Sequence, residues 1–206
     1  MKKRNVFFLL LGLLTLTFCL GSKNVQATEA TYSINDYKQF LQTNNPDYLA
    51  EFEQLSSQQQ QEVVDKVLDP NTYQESNFIE KENHQDTQVQ FRSATTSRSV
   101  WGRRGVYVGD FAILEYEVGG TYASSGSYAT RIYSSYAIIT RNLSPMTQTS
   151  NISKSAWIQN GQFNLQAKFD YKIGPLNGLS VQVGVVNAVF ASNGYGTVLQ
   201  NYWYVQ

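Results

Sequence analysis

The chain has 206 residues, with sixteen basic and sixteen acidic side chains, one histidine and one cysteine. So few thiols and imidazoles exclude a disulfide framework, a thiolate metal site and a Ser-His-Asp arrangement. There is no HExxH, GxxxxGK[ST] or GxGxxG pattern, so the common zinc, phosphate and dinucleotide sites are excluded too.

Residues 1–27 read as a secretory signal peptide. Lys2, Lys3 and Arg4 precede an apolar run from Val6 to Leu20, and Val25-Gln26-Ala27 supplies small residues at a peptidase site. The run is shorter than the roughly 20 residues that span a bilayer, which favours cleavage over a retained anchor. Cys19 follows Phe18, where a lipoprotein site needs a small residue, so it belongs to the apolar run. Cleavage after Ala27 leaves an extracellular, cysteine-free chain with twelve basic and sixteen acidic residues, a net charge of −4. That charge is uneven: residues 28–90 carry −9 and residues 91–206 carry +5. An acidic total and a scattered basic half argue against nucleic acid as a partner.

Residues 28–73 form an acidic helical segment. Ser33 with Asp36, and Ser56 with Gln59, are capping-box pairs, and Pro46 opens a helix between them. Tyr37, Phe40 and Leu41, then Tyr48, Leu49, Phe52 and Leu55, then Val63, Val64, Val67 and Leu68 give three short apolar stripes. Asp69-Pro70 ends the last. Helices this short are marginal alone and must pack on something. The segment reads as a small module or as a pro-segment or lid over the basic half. Residues 74–99 read as a polar linker containing His84, with no fixed neighbours to make it a ligand or base. Arg92, Arg98, Arg103 and Arg104 follow without an acid among them, and mark a candidate processing region.

From residue 100 to 206 the period changes from helical to two. Phe163, Leu165, Ala167, Phe169, Tyr171 and Ile173 alternate with polar residues as in a half-buried antiparallel strand. Asn160-Gly161 before it suits a type I′ hairpin turn, with Lys154–Gln159 as partner strand. Further strands are expected at 106–108, 111–118, 128–141, 180–190 and 197–205, separated by Gly119-Gly120, Ser124-Ser125-Gly126, Gly174-Pro175 and Asn193-Gly194. The expected fold is mainly β: an antiparallel sandwich or small barrel preceded by the helices.

Two features of this half bear on chemistry. Glu115 and Glu117 stand at i and i+2 on one strand face, the only candidate carboxylate pair for hydrolysis. Tyr128, Arg131, Tyr133 and Tyr136 offer a candidate binding surface, with Arg131, Tyr133 and Ser135 on one face and Tyr128, Ile132 and Tyr136 on the other. No residue pattern calls for a cofactor or a metal.

The signal peptide, the segment from Tyr37-Lys38-Gln39-Phe40-Leu41 to Leu68-Asp69-Pro70-Asn71, and Tyr171-Lys172-Ile173-Gly174-Pro175-Leu176-Asn177-Gly178-Leu179 resemble uncharacterised secreted proteins of Gram-positive bacteria. The resemblance implies an extracellular bacterial origin and transfers no activity. The expected function is a secreted, non-enzymatic binding protein whose partner is a protein or a cell-envelope glycan. The alternatives are a bacteriocin-like, membrane-acting protein held inactive by the acidic segment, and a cell-wall or polysaccharide hydrolase.

Overall fold

A computed structural model describes residues 32–85, 96–174 and 182–206, without the side chains of 82–85 and 182–183. The leader, Arg92 and residues 175–179 of the last resemblance segment lie outside the described residues.

The helical segment begins at α1 (Ile34–Asn44), where the Ser33 hydroxyl accepts from the Asp36 N–H and the Asp36 carboxylate accepts from the Ser33 N–H. The bonds from the Ser33 hydroxyl and then from its backbone hold the Asp36 carboxyl below its ordinary pKa. Pro46 opens a single 3-10 turn that leads into α2 (Leu49–Glu53), and a second capping box, Ser56 with Gln59, starts α3 (Ser57–Leu68). Val63, Val64 and Val67 are its buried side. Beyond Asp69 the chain cannot continue the helix, because Pro70 lacks an N–H, and it turns in a 3-10 segment.

Among the described residues eight strands follow: β1 (Ile79–Gln85), β2 (Thr96–Val108), β3 (Phe111–Ser125), β4 (Tyr128–Asn142), β5 (Thr147–Gln159), β6 (Gln162–Ile173), β7 (Gln182–Ser192) and β8 (Val198–Val205). They form two four-stranded antiparallel sheets in chain order, β1-β2-β3-β4 and β5-β6-β7-β8. The sheets face each other through aromatic contacts, Tyr116 on Phe169 at 4.9 Å and Tyr122 on Phe163 at 5.1 Å. The fold is the sandwich rather than the barrel. No ladder joins β4 to β5 or β1 to β8; side chains bridge both seams. Asn151 and Lys154 donate to the carbonyls of Ala137 and Ser135, and Asn201 donates to that of Lys81.

Part of the expected linker is sheet. β1 and the first residues of β2 lie within 74–99, because an edge strand can be charged and polar and so lacks the alternation of a half-buried one. Gly119-Gly120 is not a turn but the middle of β3. Here glycine serves close approach: Tyr136 lies over Gly119 and Phe163 over Gly120, and a Cβ at either position would collide with them. Asn160 and Gly161, by contrast, take φ of 53° and 71°, as a type I′ turn requires.

The helices are part of the same core as the strands. The Tyr37 hydroxyl donates to the Leu143 carbonyl at 2.9 Å, and the Ser144 hydroxyl donates to the Val67 carbonyl at 3.2 Å. Phe52 packs on Phe111 at 5.9 Å, and Arg141 pairs with Glu51 at 2.8 Å. Burial pushes the Tyr37 and Tyr73 hydroxyls well above the ordinary tyrosine pKa. Residues 32–206 are one compact unit, with the helices covering the end of the sandwich that carries the β2–β3 and β4–β5 turns.

Candidate functional site

The outward face of the first sheet is assembled around two glycines. Gly105 on β2 and Gly119 on β3 leave flat floor on which the rings of Tyr107 and Tyr136 lie. A Cβ on Gly105 would stand 3.0 Å from the Tyr107 hydroxyl, and one on Gly119 would stand 2.7 Å from that of Tyr136. Laid along the sheet in this way, Tyr107 donates to Glu115 Oε2 at 2.6 Å and Tyr136 donates to Glu117 Oε1 at 2.7 Å.

The remaining carboxylate oxygens are also occupied. Thr140 donates to Glu115 Oε1 at 2.7 Å, and Arg103 Nε donates to Glu117 Oε2 at 2.5 Å while standing 3.8 Å from Glu115. Both glutamates are 7% exposed although they point away from the core. Arg103 lies over the Trp101 ring at 4.2 Å, and Lys81 lies over the Tyr107 ring at 4.1 Å. Cations on aromatic faces gain about 0.5–1 kcal/mol each at exposed positions.

The electrostatics follow from these contacts. Burial works against the Arg103 charge, but the hydrogen bond and charge of Glu117, with the charge of Glu115, outweigh it and raise its pKa. Burial raises the Tyr107 hydroxyl, and its bond to the anionic Glu115 raises it further against the pull of Arg103. Tyr136 is raised by burial and then by its bond to Glu117. The result is a fixed arrangement of two carboxylates, one guanidinium and two neutral phenols. A glycosidase pair needs one carboxyl free to give its proton and a second free to meet water or the sugar. Here every carboxylate oxygen is taken by a side chain of the same face.

The expected site residues are thus redistributed. Glu115 and Glu117 do share a face, but with Arg103 and Tyr136, which sequence spacing placed in two other groups. Arg103 and Arg104 sit in β2 between β1 and β3, and Arg98 pairs with β3 while donating to the Gly194 carbonyl at 3.3 Å. A strand paired in this way is not an accessible loop, so the processing region is corrected for these three residues. The two expected faces of β4 are corrected as well. Thr121 pairs with Ser134 and Tyr122 with Ile132, leaving Tyr133 as an extra residue that reverses the alternation. Ile132 consequently packs on the core while Tyr136 points outward. Tyr133 is 51% exposed, with the Arg131 guanidinium 6.0 Å from its ring. Tyr128 is separate, with its ring over Gly161 at the hairpin end.

Trp101, Tyr107 and Gly105 were not singled out in the sequence, and Gly119 was read only as part of a turn. Gly105-Val106-Tyr107 carries a readable signal, a glycine two residues before a tyrosine on the same strand. Gly119 and Tyr136 meet only across a strand pair, which spacing does not reveal.

Among the described residues no helix is long and apolar enough to cross a membrane, and no three His, Cys, Asp or Glu side chains gather as a metal site. Comparison with family models, curated proteins and solved structures finds no match to this chain.

Proposed function

We propose that this chain is a secreted, non-catalytic binding protein of a bacterial cell exterior, which holds an anionic envelope polymer on the outward face of its first sheet. The observation that carries this reading is Arg103, laid on Trp101 and fixed by Glu117, with Lys81 and Arg131 on the same face. A guanidinium fixed in place loses little freedom on meeting a carboxylate or phosphate, and aromatic rings beside it suit the apolar side of a sugar. Glu115 and Glu117 serve in this reading as positioning residues, since their oxygens are spent on Arg103 and the tyrosines. The leader supports export, and the resemblance to Gram-positive secreted proteins supports the setting.

The acidic helices are a permanent cap in this reading, because Tyr37, Leu41, Phe52 and Val64 are buried in the core they share with the strands. That sharing favours the binding protein over a toxin released by loss of residues 28–90.

Co-sedimentation with purified Gram-positive cell walls, before and after acid extraction of their phosphate-bearing polymer, tests the proposal. Binding is expected to fall steeply with salt and to drop at least tenfold in Trp101→Ala and in Arg103→Gln. Binding unchanged in both variants, or equal on extracted walls, would overturn it.

A further inference from the structure

Arg104 follows Arg103 in β2 but points the opposite way, into the space between the sheets, and is 3% exposed. Its Nη2 donates to the backbone oxygen of Glu75 at 3.2 Å. The Glu75 carboxylate stands 3.7 Å away, is half in solvent, and also accepts from the Val205 N–H. Phe78 lies 5.1 Å from the guanidinium. Among the described residues, two further donors of Arg104, Nε and Nη1, find no hydrogen-bond partner, and neither does the buried hydroxyl of Tyr116.

This is an expensive arrangement for a group that cannot lose its charge. A guanidinium has five N–H donors, and burying it stabilises nothing unless those donors and the charge are met. Among the described residues, the opposite charge that meets it is the partly solvated Glu75 carboxylate at the margin. The walls around it are aromatic: Phe78 stacks on Tyr116 at 6.5 Å, Tyr116 meets Phe169 at 4.9 Å, and Phe169 stacks on Trp203 at 6.3 Å. Burial pushes the Tyr116 hydroxyl up in pKa while Arg104 pulls against it, so this phenol stays a neutral donor beside the cation. Unmet donors, a guanidinium whose counter-charge stands partly solvated at the margin, and apolar walls together describe a receptor for a small, weakly hydrated anion. A large polyanion would not fit between the sheets. The seam between β1 and β8, bridged by Asn201, borders this region where the Val205 N–H meets Glu75.

We infer that Arg104, together with the Tyr116 hydroxyl, binds a small monovalent anion, a halide or the carboxylate of a short acid, inside the sandwich beside Glu75 and Phe78. This site is independent of the outward face and of the polymer proposed for it. A bound anion would favour the folded state in proportion to its occupancy, because the unfolded chain has no such site.

Thermal unfolding of the full chain at constant ionic strength, with gluconate replaced stepwise by chloride, bromide, nitrate or formate, tests the inference. Expected is a saturable rise in Tm with the small anions, with apparent affinity at least tenfold weaker in Tyr116→Phe and no saturable rise in Arg104→Met. A crystal grown in bromide gives a second reading that needs no variant: an anomalous peak within hydrogen-bond reach of Arg104. A Tm that follows the small anions no more than gluconate, the same saturable rise in Arg104→Met, or a bromide crystal with only water at Arg104 would overturn it.

Discussion

The two sheets have equal strand numbers and the same simple order, yet their outward faces are built differently. On the second sheet β6 alternates without interruption, and its pairing with β7 runs through eleven residues with no shift. Gln166, Lys168 and Asp170 stand outward there without a shared network, Asp170 accepting from the Ser150 hydroxyl, beside the stacked Tyr202 and Tyr204 at 5.5 Å. On the first sheet the β3–β4 pairing shifts register three times, and the outward side chains are tied into one network. Bulges re-aim side chains that strict alternation would hold in parallel rows. The difference teaches that irregular pairing is where this molecule concentrates its polar contacts, while regular pairing supplies packing.

The most severe way to break that contrast is to fill the floor of the network. Gly119→Ala places a methyl against the Val100 carbonyl and the Tyr136 ring, and is expected to cost about 3 kcal/mol in urea unfolding. Gly174→Ala, at the end of β6 with nothing among the described residues within 4 Å of the added methyl, should stay within about 0.5 kcal/mol. Equal costs would mean that Tyr136 is not held where it is described. Next in size is the loss of one acid from each face. Glu117→Ala removes the acceptor for both Arg103 and Tyr136 and should cost about 2–3 kcal/mol. Asp170→Ala removes only the bond from Ser150 on a solvated face and should cost about 0.5 kcal/mol or less.

The smallest effect is one of pH. Tyr107 and Tyr136 have folded pKa values raised above the ordinary 10.0, so their contribution is complete below pH 10. Above it the unfolded chain gives up protons that the folded chain keeps, and stability falls as pH rises toward the folded values. Each such tyrosine adds up to about 1.4 kcal/mol per pH unit to that slope. Chemical unfolding followed from pH 9 to 11 should show a shallower decline in Tyr107→Phe/Tyr136→Phe than in the parent chain. An unchanged slope would show that these hydroxyls do not face anionic, desolvated surroundings.

The same contrast explains what the sequence made legible. The alternation from Phe163 to Ile173, the Asn160-Gly161 turn and the caps at Ser33 and Ser56 are local signals, each carried by a few adjacent residues. They place β6, its hairpin and both capped helices. The candidate site depends on relations that are not local. Tyr136 reaches Glu117 only because Gly119 lies between them and because Tyr133 is an extra residue in β4. Glu115 and Glu117 stood out as a pair, but Arg103 comes from the neighbouring strand, twelve and fourteen residues earlier. The polar run Ile79–Gln85 gave no strand signal because an edge strand needs no apolar face of its own. That the helices belong to the strand core was invisible for a similar reason: capping and stripes locate a helix but not the surface it covers.

The bond from Tyr37 to Leu143 closes a loop of 106 residues between the first helix and the β4–β5 turn. A ribosome releases the helices long before the strands that complete their core, and helices of eleven and twelve residues hold little structure alone. Contacts so distant in sequence also form slowly. The nascent chain therefore stays pliable until its second half has emerged, and the helices dock as one of the last steps of assembly rather than the first.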